Sequence, residues 1–108
     1  MPPSKSAKTA TSADPKATAA FLAGVAEPSR VQIVRLLACG EKSVTELSTA
    51  LGAPLVNTSH HLSVMRAAHV LDSRKDGRSA LDSFACEFET TKAEVILKGP
   101  GVRVAIER

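Results

Sequence analysis

The chain has 108 residues, 44% of them hydrophobic, with three Phe and neither Trp nor Tyr, so it forms one small domain around an aliphatic core. A net charge of +3 permits a polyanionic partner without demanding one, and no apolar run approaches the roughly 18 residues of a membrane span. The two cysteines, Cys39 and Cys86, make no CxxC or CxC pattern, which removes zinc-finger and thioredoxin-like readings; with no secretory signal in view, a soluble cytoplasmic protein is expected.

Residues 1–13, MPPSKSAKTATSA, carry no large apolar side chain beyond Met1. Such a segment buries too little surface to offset its ordering entropy, and a disordered tail is expected. DPKATAAFLAGV, residues 14–25, suits a short helix capped by Asp14 with Pro15 at its first position. Pro28 opens a second helix, PSRVQIVRLLAC, whose Val31, Val34 and Leu37 share a face widened by Ile33 and Leu36. Gly40 ends it.

Ser43 and Glu46 then form an S-x-x-E capping box, in which each side chain satisfies a backbone N–H at a helix start. Val44, Leu47 and Leu51 carry this third helix to Gly52. A short turn, GAP, leads to a fourth helix from Leu55 to about Ala68. There Thr58, Leu62 and Met65 face inward, while Val56, Ser59, Ser63 and Arg66 face outward. Two helices joined by a glycine-containing turn of about three residues make a helix-turn-helix.

Asp76-Gly77 next signals a type I′ hairpin turn, with strands at Val70–Lys75 and Arg78–Phe84 and with Arg74, Lys75 and Arg78 clustered at the tip. Further on, Phe84, Cys86 and Phe88 alternate with Ala85, Glu87 and Glu89, and VILKGPGVRVAIE holds two β-rich runs around KGPG. A second hairpin is expected there.

The order of elements implies an α+β winged helix-turn-helix: three to four helices plus a hairpin wing, with an additional C-terminal β-hairpin. Residues 14–84 would be the DNA-binding domain, and residues 85–108 a C-terminal β extension available for dimerisation. In such a fold the fourth helix can enter the major groove while the wing reaches the flanking backbone. Asn57, Ser59, His60 and Ser63 are small polar groups suited to base edges and phosphates, and Val56 can meet a thymine methyl. Arg66, Arg74, Lys75 and Arg78 are the candidate phosphate contacts. Adjacent His60 and His61 point about 100° apart on a helix and lack the i, i+4 spacing of a helical metal site, so His60 is assigned to the DNA side and His61 toward the core. No metal site, cofactor or catalytic motif is expected, and an enzyme is excluded. The alternative is a winged-helix protein-interaction module, favoured by exposed Leu55 and Val56 and by acidic Asp82, Glu87, Glu89 and Glu94.

The stretch from Ala26 to Phe84 resembles the ArsR/SmtB family of bacterial winged-helix repressors. Its members show a DP-T-R-L-x-I-L helix, matched here from Glu27 through Val34, and an ELA-x-x-L helix, matched from Glu46 through Leu51. The S-HHL recognition helix falls on Ser59 through Leu71, and the R-x-G-R wing on Arg74 through Arg78. The resemblance implies a homodimeric repressor of double-stranded DNA that releases it when an inducer, unidentified here, binds. Glu27 stands where the family favours Asp, and Pro54-Leu55-Val56 where it often has S-Q-S. Ala67-Ala68-His69 replaces E-A-G. Metal sensors of the family carry Cys-x-Cys where this chain has Ser43-Val44-Thr45, and soft-metal binding needs thiolates. Other members sense oxidants through a cysteine pair, a role the resemblance would give to Cys39 and Cys86 beside their reading as ordinary thiols.

Overall fold

Apolar spacing, caps and turns build the chain in sequence order, and the computed structural model describes residues 14–108; the expected N-terminal tail lies outside them. Helix α1 (Pro15–Ala23) starts where the Asp14 side chain accepts a hydrogen bond from the Lys16 amide. Helix α2 (Pro28–Leu37) follows, and Glu27, despite its extra methylene, caps it by accepting from the Ser29 amide at 2.7 Å. A two-residue strand β1 (Lys42–Ser43) leads into α3 (Val44–Leu51). The capping box is complete: the Glu46 amide donates to Ser43 Oγ at 3.2 Å, and the Ser43 amide donates to Glu46 Oε1 at 2.8 Å. The turn Gly52-Ala53-Pro54 then delivers α4 (Leu55–Ala67).

The wing is β2 (Leu71–Asp76) against β3 (Ser79–Phe84), antiparallel, with β1 added on the far side of β3. Strand β1 was not legible from its two residues; it exists because Lys42 and Ser43 pair with Asp82 and Leu81, 40 and 38 residues away in sequence. The wing turn also differs from expectation. Asp76 pairs with Ser79, so the two central residues are Gly77 and Arg78, not Asp76 and Gly77. Gly77 has φ of 64° and Arg78 is not in the positive-φ region, the pattern of a type II′ turn rather than type I′. Beyond the wing stand β4 (Glu87–Thr90), β5 (Glu94–Gly99) and β6 (Val102–Glu107), a three-stranded antiparallel sheet in that order. The expected hairpin is β5–β6; β4 is an added strand, paired through Phe88 with Leu97 and through Thr90 with Val95.

One core joins all of this. Phe21 and Val25 from the first helical region, Ile33, Val34 and Leu37 from α2, Leu47 from α3, and Leu62 and Met65 from α4 pack with Val95 and Leu97 from β5. The C-terminal sheet therefore fills part of the winged-helix core. Its β5–β6 turn lies against α1: Thr18 donates to the Pro100 carbonyl at 2.6 Å, and a Cβ on Gly99 would fall 2.6 Å from the Phe21 ring. Only glycine fits that approach.

Helix α4 ends in a Schellman turn. The Val70 amide bonds the Met65 carbonyl at 2.9 Å and the His69 amide bonds the Arg66 carbonyl at 3.0 Å, while buried Val70 covers buried Met65. His69 takes the left-handed position at φ 62°, where a Cβ costs energy. The Ala67-Ala68-His69 departure thus keeps the entry to the wing but leaves strain in it. Replacing His69 by Gly should raise stability by about 1 kcal/mol, read as a higher urea midpoint at unchanged slope.

Candidate nucleic-acid interface

Helix α4 divides by its period. Thr58, Leu62 and Met65 are fully buried, which presses one face onto the core and turns the opposite face out. Val56, Asn57, Ser59, His60 and Ser63 are exposed on that outer side. Leu55 and Val56 are 52% and 74% exposed. Pro54 holds the N-cap position and makes no side-chain capping bond, so the first amides of α4 have no side-chain acceptor.

The cations expected at this face divide into two groups. Arg66 does not stand free for a phosphate: its Nε donates to Asp82 Oδ1 at 2.8 Å and its Nη2 to Oδ2 at 3.4 Å. The Asp82 side chain is 2% exposed and that of Arg66 36%, so the pair ties the recognition helix to the central strand of the wing sheet. Arg74 is also held. Its Nε and Nη2 donate to Glu41 Oε1 and Oε2 at 2.8 and 2.7 Å, a bidentate fork on the protein surface. The Arg74 hydrogen bond holds the Glu41 carboxyl below its ordinary value, so the pair is intact at neutral pH. Lys75 and Arg78 remain exposed at the wing tip, and neither has a carboxylate partner among the described residues.

Between the start of α3, the side of α4 and the wing lies a cavity of about 270 Å³. Ser43, Thr45, Ser59, Arg66, Arg78 and Asp82 are among the residues lining it. Hydroxyls, a guanidinium and a helix N-terminus around one concavity can take a phosphate oxygen, and Arg66 neutralises the carboxylate beneath it. The roles of Thr45 and Glu41 were missed by sequence reasoning, and Asp82, expected on an acidic outer surface with Glu87, Glu89 and Glu94, is instead buried beneath Arg66. A charged residue at an inward position of the strand SALDSF was the available signal for Asp82.

The two histidines serve different neighbours. His60 is exposed. His61 Nδ1 sits 3.0 Å from Glu27 Oε2 and 3.0 Å from Arg30 Nη1. One nitrogen cannot donate to the first and accept from the second. Glu27 Oε2 is buried with no other hydrogen-bond partner, whereas Arg30 also donates from Nη2 to the Ala23 carbonyl. An orphaned buried carboxylate oxygen is the costlier outcome, so the proton belongs on Nδ1, and His61 docks α4 on the start of α2. Among the described residues no group of three His, Cys, Asp or Glu side chains could hold a metal ion.

Neither cysteine is in a disulfide. Cys39 is exposed and accepts from Arg108 Nη2 at 3.7 Å. Cys86 is half-buried against the Val70 carbonyl, and burial pushes its thiol up, which lowers its thiolate fraction and its reactivity.

Comparison with known proteins agrees with this geometry. The family model for bacterial regulatory proteins of the arsR family matches residues 27–73. An uncharacterised HTH-type transcriptional regulator of Mycobacterium tuberculosis, Rv0081, is 38% identical over an alignment of 96 residues that covers 84% of this chain and 84% of that one. The crystal structure of Rv0081 superposes with a TM-score of 0.60 at 36% identity, over 67% of this chain and 75% of that one. A solution structure of the homodimeric winged helix-turn-helix domain of Mb0332 from Mycobacterium bovis, a possible ArsR-family regulator, gives a TM-score of 0.63 at 28% identity. That match takes in 65% of each chain, just under two thirds.

The asymmetry of the Arg66–Asp82 pair sets a stability test. Arg66→Met leaves a buried carboxylate uncompensated and should cost about 3 kcal/mol. Asp82→Asn leaves a guanidinium that can turn to solvent and should cost about half as much. Urea denaturation of the two variants checks the order.

Proposed function

The chain belongs to the ArsR family of bacterial transcriptional regulators, and on that footing we propose that it is a homodimeric, sequence-specific DNA-binding repressor. The observation that carries this reading is the outer stripe of α4, mostly polar beyond its apolar first turn and free of carboxylates, set beside a concave cavity lined by Arg78, a cation with no carboxylate partner among the described residues. Asn57, Ser59, His60 and Ser63 would face base edges and adjoining phosphates, while Lys75 and Arg78 would take backbone phosphates. Arg66 is assigned to positioning the helix against the wing. Arg74 contacts phosphate only when it leaves Glu41.

In this reading residues 14–84 carry the DNA and residues 85–108, with α1, the contact to a second copy. Leu22, 38% exposed, and the outer edges of β4 and β6 are surfaces suited to that contact. The homodimeric state of the Mb0332 domain supports it. A two-fold dimer reads two half-sites about one helical turn, roughly 34 Å, apart. No helix of the described residues is long and apolar enough to cross a membrane.

The test is selection of bound duplexes from random and genomic fragments, followed by footprinting and affinity measurement over a series of salt concentrations. A protected pseudo-palindrome is expected. Changing Lys75 and Arg78 together to Ala removes both cations from each copy of the dimer and should weaken binding at least about tenfold across sequences and lower the salt slope by about four. No footprint, and no loss even when Arg74 is also changed, would refute the reading. Glu41→Gln should act in the opposite direction: with Arg74 released in both copies of the dimer, affinity rises severalfold and the slope steepens by about two. Measuring both variants on the same duplex makes the signs directly comparable.

A further inference from the structure

We infer that Val56 is a specificity-determining residue that reads thymine C5-methyl groups, so that the preferred operator carries a thymine where the first turn of α4 meets the bases. The inference rests on the DNA-binding reading above. Val56 is 74% exposed and lies on the outermost row of α4, one turn before His60 and two before Ser63. An apolar side chain so placed is left largely uncovered by the described residues. In the major groove, base edges present donors and acceptors, and pressing valine on them would strip their water without replacing its hydrogen bonds. The exception is the C5-methyl of thymine, the one apolar group on that surface.

Two features make the contact a fixed one. The Pro54 ring at the N-cap, with φ of −61° and ψ of 146°, rigidly sets the chain entering the helix. Branching at Cβ then restricts χ1 of Val56, which narrows where its two methyl groups can sit. Charge agrees as well: the sequence of α4, LVNTSHHLSVMRA, holds no carboxylate to repel phosphates. A protein partner is the other occupant of exposed apolar surface. Leu55 and Val56, ringed by Asn57, Ser59 and His60, fall far short of the roughly 800 Å² per partner that a stable protein interface buries.

The experiment replaces each thymine of a selected duplex, one at a time, with uracil, which deletes only the methyl. Affinity is measured by fluorescence anisotropy at fixed salt for the wild-type chain and for Val56→Ala. One or two thymines per half-site should each cost the wild-type chain about fourfold, the worth of one buried methyl group. The same replacements should cost Val56→Ala almost nothing, with uracil elsewhere silent for both. Val56 is exposed, so an unchanged urea midpoint shows that the variant is folded. Bound duplexes whose thymines are all silent, or a uracil cost equal in the two chains, would overturn the methyl contact and leave the apolar turn to a protein partner. Failure to select any duplex would overturn the DNA-binding reading itself, and the methyl contact with it.

Discussion

One buried carboxylate governs the geometry of the outer face. Asp82 lies in the central strand of the wing sheet, 1% exposed, and cannot keep its charge there without a partner. Arg66, in the last turn of α4, supplies it at 2.8 Å. The inward row Thr58, Leu62 and Met65 determines how deeply α4 sits, since each is fully buried. That row alone leaves the helix free to roll by part of its period, because apolar contact is not directional. The ion pair removes that freedom on the wing side, and His61 against Glu27 removes it on the other. A recognition helix bolted at both flanks presents the same side chains to every duplex it meets.

The same chemistry rations positive charge. Of the four cations expected to meet phosphate, two are held by carboxylates: Arg66 by buried Asp82 and Arg74 by exposed Glu41. The two differ in kind. Leaving Asp82 would expose a buried charge, so Arg66 stays. Leaving Glu41 abandons a surface fork that water can replace, so a phosphate can compete for Arg74. Binding strength at the wing therefore depends on a carboxylate that never touches DNA, and net charge read from composition overstates what is available at the tip.

Local chemistry was legible in the sequence and distant chemistry was not. The capping box at Ser43 and Glu46, the Pro-led starts of α1 and α2 and the buried row of α4 all follow from spacings of three or four residues. Their order gave the winged-helix plan, and family resemblance added the expectation of a homodimeric repressor. Strand β1 escaped notice because two residues carry no period, and it forms only against Asp82 and Leu81. The wing turn slipped by one residue because Asp-Gly fits type I′, yet the cross-strand register places Gly77 first. Partners of charged side chains were the largest gap. Nothing near Arg66 or Arg74 in sequence announces Asp82 or Glu41, which lie 16 and 33 residues away.

The C-terminal strands show the same limit from another direction. Alternation of Val102, Val104 and Ile106 marks them as strand but does not say what their apolar face covers. In the fold, Val95 and Leu97 complete the core of the helical part, and the Gly99–Pro100 turn closes on Phe21 and Thr18 of α1. A chain with only three aromatic residues has few large side chains for a core of this size, and aliphatic strands supply the missing volume. Their opposite surface, with Glu87, Glu89, Arg103 and Glu107 exposed, carries mixed charge and little apolar area. The strands therefore hold α1 in place from within, and any contact between copies has to use what α1 and the sheet edges leave uncovered.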